Sequence, residues 1–411
     1  MAKTVAIVGT FDTKGDEFAY VKERFEELGF ETLTIHAGVF DPKFVPNISN
    51  AEVAKEIDID LSVVAERKDR AIATETMTNG VKALLPRLYR EGRFDGVISM
   101  GGSGGTTIAS AGMRELPIGV PKIMVSTMAS GDVSPYIGAS DLIMMPSIVD
   151  VAGINSFSQI IYDNAVAAMA GMLEHKHDIS GIEHKPLVAA TMFGVTTPCI
   201  QMAQKYLEDH GYEVLVFHAT GTGGKCMESL VKSGFIKGVL DITTTEWCDE
   251  LFGGVLNAGP DRNDAAAKGG IPAVVSVGAL DMVNFGPRDT VPKECLDRNL
   301  YQHNPTVTLM RTTVEENRKL GEKLAEKVNQ STGPCCFMIP LKGVSMIDAP
   351  DQAFYGPDED AALFQALRDD IDPKKVELVE CDMHINDREF AEGAAQKLID
   401  LMDEKYGKAG K

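Results

Sequence analysis

One pattern, written twice along the chain, limits its fold more than any other feature. Residues 4–9 are a β-branched apolar run ending at Gly9. After a polar loop, Phe18, Val21, Phe25 and Leu28 recur at helical spacing up to Gly29, ahead of the strand-like Thr32-Leu33-Thr34-Ile35. The same order of strand, loop, helix and strand returns at residues 187–190, at Met202, Tyr206 and Leu207, at Gly211 and at residues 214–217. At one constant offset Phe11 falls on Phe193, Gly29 on Gly211, Phe30 on Tyr212, and Ile35-His36-Ala37 on Phe217-His218-Ala219. Two homologous α/β halves follow, divided near residues 178–181 into domains 1–180 and 181–411. Alternating strands and helices predict doubly wound parallel sheets, which bind ligands beyond the carboxyl ends of their strands.

A chain of 411 residues can bury two large cores without disulfide staples. Its net charge of −20 repels nucleic acid phosphates and anionic membrane surfaces, so neither is expected as a partner. No apolar run reaches the roughly 18 residues of a membrane span, and the N-terminus lacks the apolar stretch of a signal peptide. Seven cysteines, an odd number without paired Cys-x-x-Cys knuckles, suit a reduced cytoplasm.

Chemistry concentrates in two glycine loops, each directly after a strand. The first, Gly9-Thr10-Phe11-Asp12-Thr13-Lys14-Gly15, offers backbone amides to an anion. There Lys14 can neutralise a phosphate, Thr10 and Thr13 can donate to it, and Asp12 can hold magnesium or a substrate hydroxyl. The second, Gly101-Gly102-Ser103-Gly104-Gly105-Thr106-Thr107, precedes a helix expected over residues 108–113 and lets a ligand approach the backbone closely. It also satisfies Gly-x-Ser-x-Gly, so a hydrolase with Ser103 as nucleophile is the rival reading. Spacing alone does not rank the downstream histidines His175, His177, His184, His210, His218, His303 and His384 as its partner. A phosphate cradle explains both loops; a nucleophile elbow explains one.

Other segments are expected to line a crevice. Residues 126–132 follow a third strand and place Ser130 at its open end, with Tyr136 and Asp141 just beyond. Residues 340–348 follow a later strand and are expected to expose Lys342, Ser345 and Asp348 to a substrate. The loop Thr220-Gly221-Thr222-Gly223-Gly224-Lys225-Cys226 departs from a phosphate-binding Walker motif, since Ala219 stands where a glycine is needed and Cys226 where a hydroxyl is needed. His36 and His218 occupy matching strand ends and are read as a duplicated structural pair. Glu174, His175, His177 and His184 are assigned to solvent, and Cys335, Cys336 and Trp247 to packing.

Residues 5–17, 101–106, 125–141 and 341–360 together resemble the ordered motifs of the Tm-one-like ATP-binding domain family, over nearly the whole chain. The resemblance implies two Rossmann-like subdomains, ATP with magnesium as ligand, and self-association as a dimer or higher homo-oligomer. Carried over by motif, the nucleotide contacts are Thr10, Asp12, Thr13 and Lys14 with Gly102, Ser103, Gly104, Gly105 and Thr106. The expectation is an ATP- and magnesium-binding protein acting on a small metabolite between its halves, with Asp12, Lys14 and Ser103 as catalytic candidates. Three classes stay open: an ATP-dependent enzyme of ligase or kinase type, a hydrolase or carbon–carbon lyase without ATP, and a nucleotide-responsive binding protein.

Overall fold

The computed structural model describes residues 2–175 and 185–407. Contacts divide the chain into two compact units, Met1–Ile182 and Glu183–Lys411. The stretch expected to hold the boundary, with His177 and His184, lies outside the described residues.

The first unit runs β1 (Thr4–Gly9), α1 (Gly15–Glu27), β2 (Glu31–His36), α2 (Asn50–Lys55), α3 (Leu61–Arg67), α4 (Arg70–Arg90), β3 (Gly96–Gly101), α5 (Ser103–Met113), β4 (Lys122–Ser126), α6 (Ser134–Ile137), β5 (Ile143–Pro146) and α7 (Ser156–Glu174). Its strands form one parallel sheet in the order β2-β1-β3-β4-β5. Successive side chains of a strand point to opposite faces, and β1 shows the result. Val5 and Ile7 pack with Phe18, Val21, Phe25, Val166 and Met169 of α1 and α7. Ala6 and Val8 pack with Met77, Val81, Leu84 and Ile108 of α4 and α5. Each face of the sheet therefore carries its own helical layer.

The second unit runs β6 (Leu187–Met192), α8 (Thr197–Asp209), β7 (Glu213–His218), α9 (Thr222–Lys232), β8 (Ile236–Thr243), α10 (Glu246–Phe252), α11 (Asp264–Gly269), β9 (Ala273–Gly278), β10 (Met282–Phe285), β11 (Leu300–Asn304), β12 (Val307–Arg311), α12 (Val314–Val328), β13 (Cys335–Pro340), α13 (Pro357–Asp370), β14 (Glu377–Cys381) and α14 (Arg388–Tyr406). Its main sheet is parallel, in the order β14-β13-β9-β8-β6-β7. The first strand lies between the second and third in both sheets, the arrangement expected of two duplicated Rossmann-like doubly wound units.

Two features depart from the sequence reading. An antiparallel sheet, β10-β12-β11, interrupts the alternation between β9 and β13. Helix α5 begins at Ser103 rather than Ile108, so of the glycines expected in a loop Gly101 ends β3, Gly102 is the N-cap, and Gly104 and Gly105 lie in the first turn. Glycine is tolerated there because first-turn amides have no intrahelical partner to lose.

Candidate functional site

In a sheet ordered this way the chain leaves β1 toward β2 on one side and reaches β3 on the other, so the crevice opens between the ends of β1 and β3. Both glycine loops start there. Gly9 closes β1 because a side chain would collide with the Phe18 ring, 2.0 Å from where a Cβ would stand. The carbonyl of Thr10 then accepts the amides of Thr13 (3.2 Å) and Lys14 (2.9 Å), turning the chain into α1. The Thr13 hydroxyl donates to Thr10 Oγ1 at 3.0 Å.

Phe11 and His36 hold this loop to the next one. Phe11 is buried and stacks on His36 with ring centroids 5.4 Å apart. Nδ1 of His36 accepts the amides of Phe11 (3.1 Å) and Gly38 (3.3 Å). Its proton therefore sits on Nε2, which donates to the Phe40 carbonyl at 2.9 Å. Asp12 completes the brace, accepting from Thr13 N (2.8 Å) and Phe40 N (3.1 Å). The Lys14 ammonium donates to the carbonyl oxygen of Val151, beyond β5. Nearby, Glu17 accepts the amide of Gly153 at 2.6 Å.

On the other side Gly102 caps α5 without a side-chain hydrogen bond. Among the described residues the amides of Ser103, Gly104 and Gly105 meet no acceptor, and neither does the exposed Ser103 hydroxyl. Thr106 turns inward instead. It is fully buried, donates to Gly102 O at 2.7 Å and shares a 2.6 Å hydrogen bond with Ser126.

Between the loops lies a cleft of about 730 Å³ whose walls include Thr10, Asp12, Thr13 and Lys14 opposite Gly102, Ser103, Gly104 and Gly105. The fold thus brings together eight of the nine residues carried over by motif as nucleotide contacts. Thr106 lies beneath the cleft, and Ser130, exposed at the end of the short turn after β4, is outside its lining. Asp141 is engaged elsewhere, with the buried Lys122 and the Gly119 amide (2.7 Å).

Sequence reasoning missed the rest of the wall. Lys68, Asp69 and Arg70, where α3 passes into α4, and Asp150, beyond β5, also line it. Asp69 caps α4 through the amides of Ala71 (2.8 Å) and Ile72 (3.2 Å). Lys68, Arg70 and Asp150 are exposed and have no ion-pair or hydrogen-bond partner for their side-chain charges among the described residues. A deeper apolar part is made by Val64, Met77 and Ile108, with Phe40 at 62% exposure on a backbone braced at both its amide and carbonyl. No motif marks these residues; only the packing of α2 and α4 against the sheet brings them in.

The N-terminal domain of the uncharacterised protein family UPF0261 matches residues 3–178, and its C-terminal domain matches residues 185–402. The chain belongs to the UPF0261 family. A UPF0261 protein of Clostridium tetani is 53% identical over 405 residues, covering 98% of this chain and all of that one. One from Rhizobium meliloti is 46% identical, covering 97% and 99%. The ToMV resistance protein Tm-1(GCR237) of Solanum lycopersicum is 40% identical over 420 residues, covering 97% of this chain but 55% of the tomato protein. The Tm-one-like motifs thus reflect homology to the tomato Tm-1 protein.

In the UPF0261 C-terminal domain a glycine loop is engaged by the protein's own side chains. The glycine loop before α9 points the amides of Gly221 (2.7 Å) and Gly224 (3.1 Å) at Glu246 Oε1. Arg262 holds the same carboxylate at 2.6 Å, grips Asp241 and lies 3.6 Å from Glu228, all of them buried. Burial raises the Glu228 pKa. His218 stacks on Phe193 at 5.5 Å as His36 does on Phe11, but it is exposed. The pair is duplicated; the burial is not.

The expected exposure of the 340–348 loop is corrected. Lys342 is exposed and pairs with Asp382 at 2.9 Å, but Ser345 and Asp348 are fully buried. Ser345 donates to Asp281 at 2.7 Å, while Asp348 accepts the amides of Val344 (2.9 Å) and Gly356 (3.3 Å) and lies 3.6 Å from Arg311. These two tie the loop into a core around Arg311. Burial raises the Asp281 and Asp360 pKa values there. Cys335, Cys336 and Trp247 are buried as expected, with the indole donating to Asn263 at 2.7 Å, and Glu174 and His175 are exposed.

Proposed function

We propose that the first unit binds ATP with magnesium in the cleft between β1 and β3, in the service of a reaction on a small metabolite. The observation that carries the reading is the convergence of the two glycine loops on one cleft, with three unpartnered amides facing a lysine and two hydroxyls. Donors of this kind suit phosphate oxygens. The apolar part beside Phe40, Val64 and Met77 suits a purine, since aromatic and aliphatic surfaces cover a base while the amides hold its phosphates. Magnesium typically keeps several waters and needs one or two carboxylates besides phosphate. Asp150, with both oxygens unbonded among the described residues, fits that role better than Asp12, whose oxygens already accept amides.

Titration calorimetry of the whole chain with ATP, with and without magnesium, tests the proposal. Saturable binding at one site per chain, strengthened by magnesium and lost with adenosine, is expected; no binding of any nucleotide would end it. Within this reading Ser103 donates to phosphate. A hydrolase would need a histidine, and His36 has both ring nitrogens committed to backbone.

Self-association belongs to the same proposal. Phe157 and Ile160, on one side of α7, are 64% and 57% exposed, and Ile148 just before that helix is 73% exposed. A cytoplasmic setting is supported by seven cysteines that are all free. Among the described residues no helix is long and apolar enough to cross a membrane.

A further inference from the structure

The cleft has a cation that no motif announces. We propose that Arg70 is a phosphate-reading residue, making affinity depend on how many phosphates the ligand carries; this rests on the cleft being a nucleotide site. Arg70 opens α4 and faces the first turn of α5 across the cleft. Its Nη2 lies 3.9 Å from where a Cβ on Gly104 would stand. That is ordinary contact distance, so the guanidinium lies against the first turn of α5, beside the open amides of Ser103, Gly104 and Gly105.

Three further observations converge. Arg70 lines the cleft and has no carboxylate to neutralise it among the described residues, in a chain of net charge −20. The adjacent Asp69 turns away from it to cap α4. The helix carrying it is fixed in place. A Cβ on Gly112 of α5 would lie 2.7 Å from Val81 O of α4, and one on Gly80 of α4 would lie 2.5 Å from Val53 O of α2. Glycine at both crossings lets three helices pack closely, so the start of α4 is held over the start of α5. A planar guanidinium presents paired donors to phosphate, which a lysine does not.

The experiment measures adenosine, AMP, ADP, ATP and inorganic tripolyphosphate on the full chain, on Arg70→Gln, on Arg70→Lys and on Arg67→Gln. Arg67 is exposed on α3 and outside the cleft, so it controls for net charge. In the native protein affinity should rise with phosphate number. Arg70→Gln should cost ATP and tripolyphosphate tenfold or more and adenosine less than twofold, with Arg70→Lys between. Unchanged ATP affinity in a folded Arg70→Gln, or an equal loss in Arg67→Gln, overturns the assignment while leaving the nucleotide reading intact. Tripolyphosphate binding that depends on Arg70 without any gain from the nucleoside would sink the nucleotide reading and keep Arg70 as a polyphosphate contact. No binding of any of the five by the native chain overturns both.

Discussion

Lys14 reaches from the first glycine loop to donate to the carbonyl oxygen of Val151, and so fastens the phosphate-type loop to the segment that follows β5. Its ammonium serves the fold before it meets any ligand. Lys14→Ala should weaken ATP by about 1.5–3 kcal/mol, the scale of a hydrogen bond to a charged group, with a smaller effect on adenosine. The clamp should show separately, as a lower melting temperature of the variant without ligand. Calorimetric titration beside a thermal melt checks both, and unchanged ATP affinity in a folded variant would remove this loop from the site.

Ser103 is expected to donate to the ligand and not to attack it. Ser103→Ala should lower ATP affinity by about 0.5–1.5 kcal/mol, the worth of one neutral hydrogen bond. A fluorophosphonate should leave the native protein unlabelled by mass spectrometry. Stoichiometric labelling at Ser103 would reverse the assignment in favour of a hydrolase.

Among the described residues Arg262 is the one cation in ion-pair contact with Asp241, Glu246 and Glu228, with two contacts to Asp241 at 2.5 and 2.6 Å. Replacing it with Met keeps much of the volume and strands three buried carboxylates. Removing one partner of a buried pair typically costs about 3–5 kcal/mol. Urea unfolding of Arg262→Met should therefore show a loss on that scale, and a loss below about 1 kcal/mol would mean the cluster is neutralised in another way.

Asp360 gives a pH test. Burial and then the neighbouring Asp348 hold its pKa up, to about 8, above the ordinary 3.8. A raised acid stabilises the fold while protonated, and that contribution is lost as pH climbs from about 4 through the raised value. Asn imitates the protonated acid and cannot ionise. Asp360→Asn should match the native protein near pH 4 and exceed it in stability at pH 9 by several kcal/mol, at about 1.4 kcal/mol for each pH unit between the ordinary and the raised value. Melting curves across that range decide it; parallel curves for the two proteins would show that Asp360 does not titrate in the fold.

The strands are legible because their apolar runs are short, β-branched and closed by glycine, and α1 and α8 because their apolar residues recur at helical spacing. Helix α5 was read five residues short, since four glycines hide a first turn whose amides need no partner. The β10-β12-β11 sheet was missed because strands of four and five residues, Met282–Phe285 and Val307–Arg311, carry too little alternation to separate from loop. Both glycine loops announced the cleft. Lys68, Arg70 and Asp150 did not, because what makes them a wall is the packing of helices. Ser345 and Asp348 read as exposed for the same reason. A polar side chain shows in a sequence; its buried partners Asp281 and Arg311 do not.

The His36 imidazole, by joining the Phe11 amide, the Gly38 amide and the Phe40 carbonyl, makes one jaw of the cleft a finished surface before anything enters it. Little chain entropy is then left to lose on that side when a ligand docks. Discrimination there becomes a matter of shape already present, and a molecule that does not suit it finds nothing willing to adapt. The wall beside it is built differently, on a seven-residue helix, Leu61–Arg67, that runs between Asp60 and a left-handed Lys68.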